Sequence, residues 1–266
     1  MSCWSGKNVL IGITGSIAAY KSSFLVREFI KLGANIKIIQ TPSSKEFVTP
    51  LTLSTLSKNP VITSFTQEDD PDFWNDHVQL GLWADIFIIA PTSAKTLSKM
   101  ASGNCDNFLL ATYLSARCPV FFAPAMDLDM YKHHSTQKNI NSLISFGNHL
   151  IPPQKGELAS GLNGVGRMTE PNDIIKFIEK KIFSDLPLKN KKILITAGPT
   201  IEAIDPVRYI SNYSTGKMGY ELAEVSSSLG ADVILISGPT DLTLTNKNIK
   251  KINITSSEEM LKECLK

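Results

Sequence analysis

The stretch Pro124-Ala125-Met126-Asp127-Leu128-Asp129-Met130-Tyr131 places two acids, two methionines and an aromatic within eight residues. It follows the apolar run Pro119-Val120-Phe121-Phe122-Ala123, which reads as a buried strand. In an open parallel sheet, ligands bind in the crevice beyond the carboxyl ends of the strands. A loop of this make-up at such an end is a candidate active-site wall. Its carboxylates also suit a plainer task, because Asp is a favoured N-cap and Asp127 or Asp129 could start the next helix.

Other reactive or polar residues also cluster after apolar runs. Val9-Leu10-Ile11-Gly12-Ile13 reads as a strand buried on both faces. It ends in Thr14-Gly15-Ser16-Ile17-Ala18-Ala19-Tyr20-Lys21, and Phe24, Leu25, Phe29 and Ile30 then recur at helical spacing. Strand, glycine turn and helix can hold a phosphate, because free amides at a helix start face an anion. Gly15, Ser16 and Ile17 are the candidates. The spacing is neither GxGxxG nor the Walker pattern, and a tight packing corner would read the same way.

Thr41, Ser43 and Ser44 follow the strand 35–40, where hydroxyls can donate to a ligand or simply make a turn. Pro91-Thr92-Ser93-Ala94-Lys95-Thr96 follows the strand 86–90 and opens another helix. His77 is an imidazole of the type that titrates near neutrality, though a lone histidine is commonly a surface group. Residues 155–168 hold four glycines in fourteen residues without periodicity, the composition of a flexible flap.

The elements that must position these groups alternate strand and helix, which predicts an α/β, doubly wound, mostly parallel sheet. Helices are expected near 50–56, from 94 to Gly103, through Leu114, over 136–146 and over 171–183, with a short strand at Leu150 and Ile151. Residues 67–76 read as an acidic, aromatic-bearing loop. The segment 184–190 is a polar, proline-bearing linker, and the pattern then restarts. Strands at 192–196 and 231–236, and helices over 220–229 and from about Ser256, form a second unit. Two strands and two helices are too few for a finished doubly wound domain, so this unit is expected to be partial. The resulting division is 1–183, 184–190 and 191–266.

A chain of 266 residues with 42% hydrophobic residues can bury one large core or two ordinary ones. Its 27 basic and 25 acidic residues, net +2, give no support to nucleic-acid or membrane-surface binding. No window reaches the length of a transmembrane helix, and residues 1–7 lack the layout of a signal peptide. Cys3, Cys105, Cys118 and Cys264 are scattered without metal spacing. No metal site is expected, and a reducing cytoplasm fits.

Together these motifs resemble a known family. Residues 1–183 resemble the flavin-dependent cysteine decarboxylases, homo-oligomeric flavoproteins that act on a terminal cysteinyl group. The resemblance rests on 15–21, His77-Val78-Gln79-Leu80, Ala90-Pro91-Thr92-Ser93-Ala94, 124–131 and 161–168. Residues 191–240 resemble the start of phosphopantothenate–cysteine ligases, through Ile195-Thr196-Ala197-Gly198-Pro199-Thr200 and 205–219. The pairing is similar to the bifunctional bacterial enzymes that make 4′-phosphopantetheine for coenzyme A.

The resemblance implies a Rossmann-like flavoprotein fold with FMN as cofactor, its phosphate held by Gly15, Ser16 and Ile17. Thr41, Ser93, Ala94, Lys95, Thr96 and Ala125 would line the flavin. It implies His77 for proton transfer or orientation, and Asp127, Met130, Arg167 and Met168 about the substrate. The implied substrate is the small molecule phosphopantothenoylcysteine. Its cysteinyl unit is oxidised to a thioaldehyde, loses CO₂ as an enethiolate and is reduced to the saturated thiol. A trimer or dodecamer is implied. In the second unit Gly198, Arg208 and Asn212 match positions of the acyl-nucleotide step, with CTP and Mg²⁺ relevant only to a completed ligase domain. The family's later nucleotide-contacting segments have no counterpart, so no ligase activity is expected from this chain alone.

Two departures stand out. The family carries asparagine where this chain has Asp127, and two like charges about 4 Å apart repel by roughly 4 kcal/mol at an effective dielectric near 20. It also carries a proton-donating cysteine where this chain has Ser160, and a hydroxyl is a far weaker acid than a thiol. Three other readings stay open: a peptidyl-cysteine decarboxylase, a flavin prenyltransferase-like enzyme, or a catalytically silent flavin-binding regulatory subunit.

Overall fold

The unbroken apolar run after Lys7 becomes the middle of a parallel sheet whose strands are covered on both faces. The computed structural model describes residues 2–66, 74–183 and 186–266. It forms two compact units, one of Lys7–Ile178 and one of Glu179–Lys266 with the segment ending at Gly6. Residues 67–73 of the acidic loop and 184–185 of the linker lie outside the described residues.

In the first unit the chain runs β1 (Asn8–Ile13), α1 (Tyr20–Lys31), β2 (Asn35–Gln40), α2 (Pro50–Ser57), β3 (Val61–Ile62), α3 (His77–Trp83) and β4 (Ile86–Thr92). It continues through α4 (Ala94–Ser102), α5 (Phe108–Ser115), β5 (Val120–Pro124), α6 (Leu128–Lys132), α7 (His134–Ser145) and β6 (His149–Leu150). A hairpin of β7 (Gln154–Glu157) and β8 (Asn163–Arg167) precedes α8 (Pro171–Phe183).

The six strands β1 to β6 pair in the order β3-β2-β1-β4-β5-β6, each pair parallel. The expected doubly wound sheet is therefore present, and its order reverses between β1 and β4. Val9 pairs with Ile36 on one side and Ile86 on the other. Successive strand residues face opposite ways. Leu10 joins a core with Phe87, Ile89, Leu97, Phe108 and Phe122, while Val9, Ile11 and Ile13 face the other layer, where Leu25, Val26 and Phe29 of α1 are buried.

Helix starts follow their side-chain caps. Ser93 accepts from the Thr96 amide and Asn107 from the Leu110 amide. The capping asparagine sets the start of α5 at Phe108. The glycine-rich segment departs further from expectation. It is an antiparallel hairpin in which Glu157 pairs with Asn163 and Lys155 with Val165. Glycine content suggested an unstructured flap, but the ladder satisfies backbone groups that composition alone leaves open.

The second unit contains β9 (Lys192–Ala197), β10 (Glu202–Ala203), β11 (Tyr209–Ile210), α9 (Lys217–Ser228), β12 (Asp232–Ser237), β13 (Lys250–Asn253) and α10 (Ser257–Cys264). The parallel sheet has the order β13-β12-β9, so it has a third strand where two were expected. Lys250 and Lys251 concealed it, since charged residues are typical of an edge strand and weaken the apolar signal. Ala197, Tyr220, Ala223, Val233, Leu235 and Ile249 form its core. A capping box between Ser256 and Glu259 starts α10.

Candidate active site

The reversal of strand order opens a crevice at the carboxyl ends of β1 and β4, the place where open α/β sheets bind ligands. Thr14 spans it, donating from Oγ1 to the Pro91 carbonyl and accepting from the Ser93 amide, both at 2.9 Å. Gly15 follows at the tightest point of the turn. A Cβ there would lie 2.6 Å from Ser43 Oγ, so only glycine lets the two strand-end loops approach. Ser16 accepts from the Ala18 amide and starts the helical segment that becomes α1. The amides of Gly15 and Ile17 meet no acceptor among the described residues, which leaves them available to an anion.

Beyond β5, Ala125 is buried and its amide donates to the Thr92 carbonyl. Asp127 stands at the N-cap position of α6, yet its side chain makes no capping bond. The plain reading of Asp127 as a helix cap therefore does not describe it. The hairpin then closes over this loop. The Met126 amide donates to the Gly166 carbonyl at 3.1 Å.

Lys21, only 4% exposed, reaches from α1 to the base of the hairpin. Its Nζ donates to the Met168 carbonyl at 3.0 Å and to Glu170 at 2.7 Å, and Arg167 pairs with the same carboxylate at 2.8 Å. The hydrogen bond from Lys21, aided by Arg167, holds the Glu170 carboxyl below its ordinary range.

Glycine turn, acidic loop and hairpin together enclose a cavity of about 470 Å³. It brings together Ser16, Ile17, Ala125, Asp127, Arg167 and Met168 from the expected set. Tyr20, Lys21, Met126, Glu157, Leu158 and Ala159 also line it and were not singled out from the sequence. Lys21 lay inside the quoted glycine-turn motif, but its reach across to Glu170 joins residues too distant for spacing to reveal.

The remaining expected residues lie outside that lining. Thr41 is buried at the end of β2, and Ser93 and Thr96 bond each other at the start of α4. Ala94 and Lys95 occupy the first turn of α4. Met130 is half-exposed on α6, and Ser160 is exposed in the turn where the Leu158 amide bonds the Leu162 carbonyl. His77 begins α3, which Asp76 caps through the Val78 and Gln79 amides. Its ring meets Phe65 and Phe108 edge-on, and its buried Nδ1 has no hydrogen-bond partner among the described residues.

The family model for flavoproteins matches residues 2–183. The chain belongs to the flavoprotein family. A second model, the C-terminal domain of DNA/pantothenate metabolism flavoproteins, matches residues 188–266. This flavoprotein is 53% identical over 217 residues to a "Cysteine/Cysteine sulfinic acid decarboxylase" from an unknown prokaryotic organism, covering 80% of the chain and 60% of that relative. It is 43% identical over 258 residues to the "Coenzyme A biosynthesis bifunctional protein CoaBC" of Bacillus subtilis (strain 168), covering 96% of the chain and 63% of the relative. The chain thus spans less than two thirds of either relative's length.

Among solved structures, a PPC decarboxylase complexed with pantothenoylaminoethenethiol superposes with a TM-score of 0.59 at 36% identity, covering 67% of this chain and 98% of that one. "The FMN binding protein AtHal3" gives 0.58 at 36% identity, over 68% and 98%.

In the second unit, Gly198 lines a cavity of about 300 Å³ with Thr196, Ala197, 214–219 and Met260. Arg208 and Asn212 do not line it. Arg208 pairs with Asp205 at 2.6 Å, and Asn212 accepts from the Ser214 amide. Among the described residues no helix is long and apolar enough to cross a membrane, and no cluster of three or more His, Cys, Asp or Glu could hold a metal ion.

Proposed function

We propose that this flavoprotein is an FMN-dependent decarboxylase of a terminal cysteinyl group, converting 4′-phosphopantothenoylcysteine to 4′-phosphopantetheine in cytoplasmic coenzyme A synthesis. The observation that carries the reading is the single cavity made by the glycine turn, the 124–131 loop and the hairpin. An anion-holding turn, an acidic wall and a closing element thereby share one space. The residues fit the cofactor. Gly15 packs against Ser43 with no room for a Cβ, and the amides of Gly15 and Ile17 have no acceptor among the described residues.

In this reading Gly15, Ser16 and Ile17 hold the phosphate, while Thr41, Ser93, Ala94, Lys95, Thr96 and Ala125 belong to the flavin side. Bound FMN supplies reversible two-electron oxidation of the cysteinyl Cα–Cβ–S unit, and the protein supplies binding and orientation. The carboxylate leaves as CO₂ once its β-carbon is a thiocarbonyl. His77 moves a proton or orients the sulfur-bearing end, and its buried Nδ1 has no hydrogen-bond partner among the described residues. Asp127, Met130, Arg167 and Met168 contact substrate. The hairpin excludes water, and Ser160 at its turn stands nearest the final protonation. The assembly is a homo-oligomer, trimer or dodecamer.

Residues 1–183 form the decarboxylase domain and 184–190 a linker. Residues 191–266 belong to a ligase-type domain, with Gly198, Arg208 and Asn212 on its nucleotide side; CTP and Mg²⁺ enter only there. Anaerobic addition of phosphopantothenoylcysteine to the yellow protein tests the reaction. Bleaching of the flavin band with CO₂ release supports it, and an unchanged spectrum with no CO₂ refutes it. A second reading takes free cysteine or its sulfinate as substrate, favoured by the 53% identity to a relative of that name.

A further inference from the structure

Four charged side chains line the cavity: Lys21, Asp127, Glu157 and Arg167. Both cations are already committed, because Lys21 and Arg167 each bond the same Glu170 carboxylate. Lys21 also donates to the Met168 carbonyl. Among the described residues neither acid side chain has such a partner. The Asp127 side chain makes no hydrogen bond or ion pair among the described residues, not even the helix cap that its position invites. Glu157 is exposed on the hairpin, where solvent screens it, whereas Asp127 is half-buried at the cavity wall. Asp127 is therefore the half-buried carboxylate of this wall whose side chain pairs with no cation among the described residues, while Lys21 and Arg167 share one carboxylate on the hairpin side.

We infer that Asp127 is a specificity-determining residue that selects a cysteine with a free ammonium group over one acylated at nitrogen. The inference rests on the cavity being the cysteinyl site proposed above. A free cysteine carries its ammonium and carboxylate on the same carbon. The ammonium donates a charge-assisted hydrogen bond to Asp127 and offsets repulsion of the substrate carboxylate. An N-acylated cysteine presents only a neutral amide N–H, and its carboxylate meets Asp127 without that compensation. The wall thus distinguishes the two substrates considered above and supports the second reading, free cysteine or its sulfinate, over the acylated substrate of the first.

Binding to the flavin-loaded protein tests this without turnover, using S-methyl-L-cysteine and N-acetyl-S-methyl-L-cysteine in calorimetry. The free amine should bind about 10- to 100-fold more tightly, the range of a hydrogen bond to a charged group. Asp127→Asn, which keeps the shape, should abolish the preference, and Asp127→Glu should keep most of it. Equal binding of both ligands by the unaltered protein overturns the inference. So does a preference that survives in D127N, or one lost as fully in D127E as in D127N. CO₂ release from L-cysteine and from phosphopantothenoylcysteine is measured alongside. Release from neither refutes the decarboxylase reading, and the binding preference still decides the role of Asp127.

Discussion

A Cβ placed on Gly166 would lie 2.3 Å from the carbonyl oxygen of Met126. The contact is with backbone, so no rotamer change relieves it. The same two residues share the hydrogen bond that seats the hairpin on the acidic loop. Gly166→Ala should therefore separate β8 from residues 126–127 and cost about 1–3 kcal/mol, as overpacking does. Displacing Asp127 by about 1 Å should cost roughly 100-fold in turnover. Thermal melting and steady-state CO₂ release read the two effects separately.

The glycine turn makes a different demand. At Gly15 the obstructing atoms are Ser43 Oγ at 2.6 Å and Ser43 Cβ at 2.9 Å, both in a side chain. Gly15→Ala should weaken FMN binding about 10- to 100-fold by pushing the two loops apart. Adding Ser43→Gly removes both atoms and should restore much of the affinity. Quenching of FMN fluorescence on titration measures it, and an unaffected Gly15→Ala protein would mean the turn does not hold the phosphate.

Glu170 links the stability of this arrangement to pH. Lys21 and Arg167 hold its carboxyl below the ordinary value of 4.5. A carboxyl depressed in the folded state contributes stability that is fully present above its unfolded value. That stability is lost as pH falls through the lower folded value. Replacement by glutamine should lower Tm by about 2–4 °C at neutral pH, since solvent at the half-exposed carboxylate screens the pair to about 1 kcal/mol. The difference from the unaltered protein should shrink as pH drops below 4.5. A gap independent of pH from 7 down to 3 would show that the ion pair is not its source.

The sheet was legible because its signals are local. Val9 to Ile13 and Ile86 to Ala90 are continuous β-branched or apolar runs, and such runs mark strands covered on both faces. The edge strand β13 was not, since Lys250 and Lys251 break its apolar pattern. Asp127 and the glycine turn could be found from type and position alone. Lys21 and Glu170 could not, being 149 residues apart and joined only by folding. The hairpin was hidden for a related reason: its glycines say that the backbone is free, and only docking on Met126 says what that freedom serves.

Ser160 bears on the last step of the proposed reaction. It sits in the hairpin turn next to Ala159, which lines the cavity, and its own side chain is exposed. Reduction of an enethiol needs a proton at carbon, and a serine hydroxyl gives one up far less readily than a thiol with a pKa near 8.5. Ser160→Cys should therefore raise the share of saturated thiol among the products by about tenfold relative to enethiol when donation limits the step. Ser160→Ala should leave the unaltered protein's ratio unchanged if water is the donor, and lower it if the hydroxyl relays the proton. Mass spectrometry separates the two products by two hydrogens. A Ser160→Cys protein with the parent ratio would place the donor elsewhere, with His77 the next group to replace.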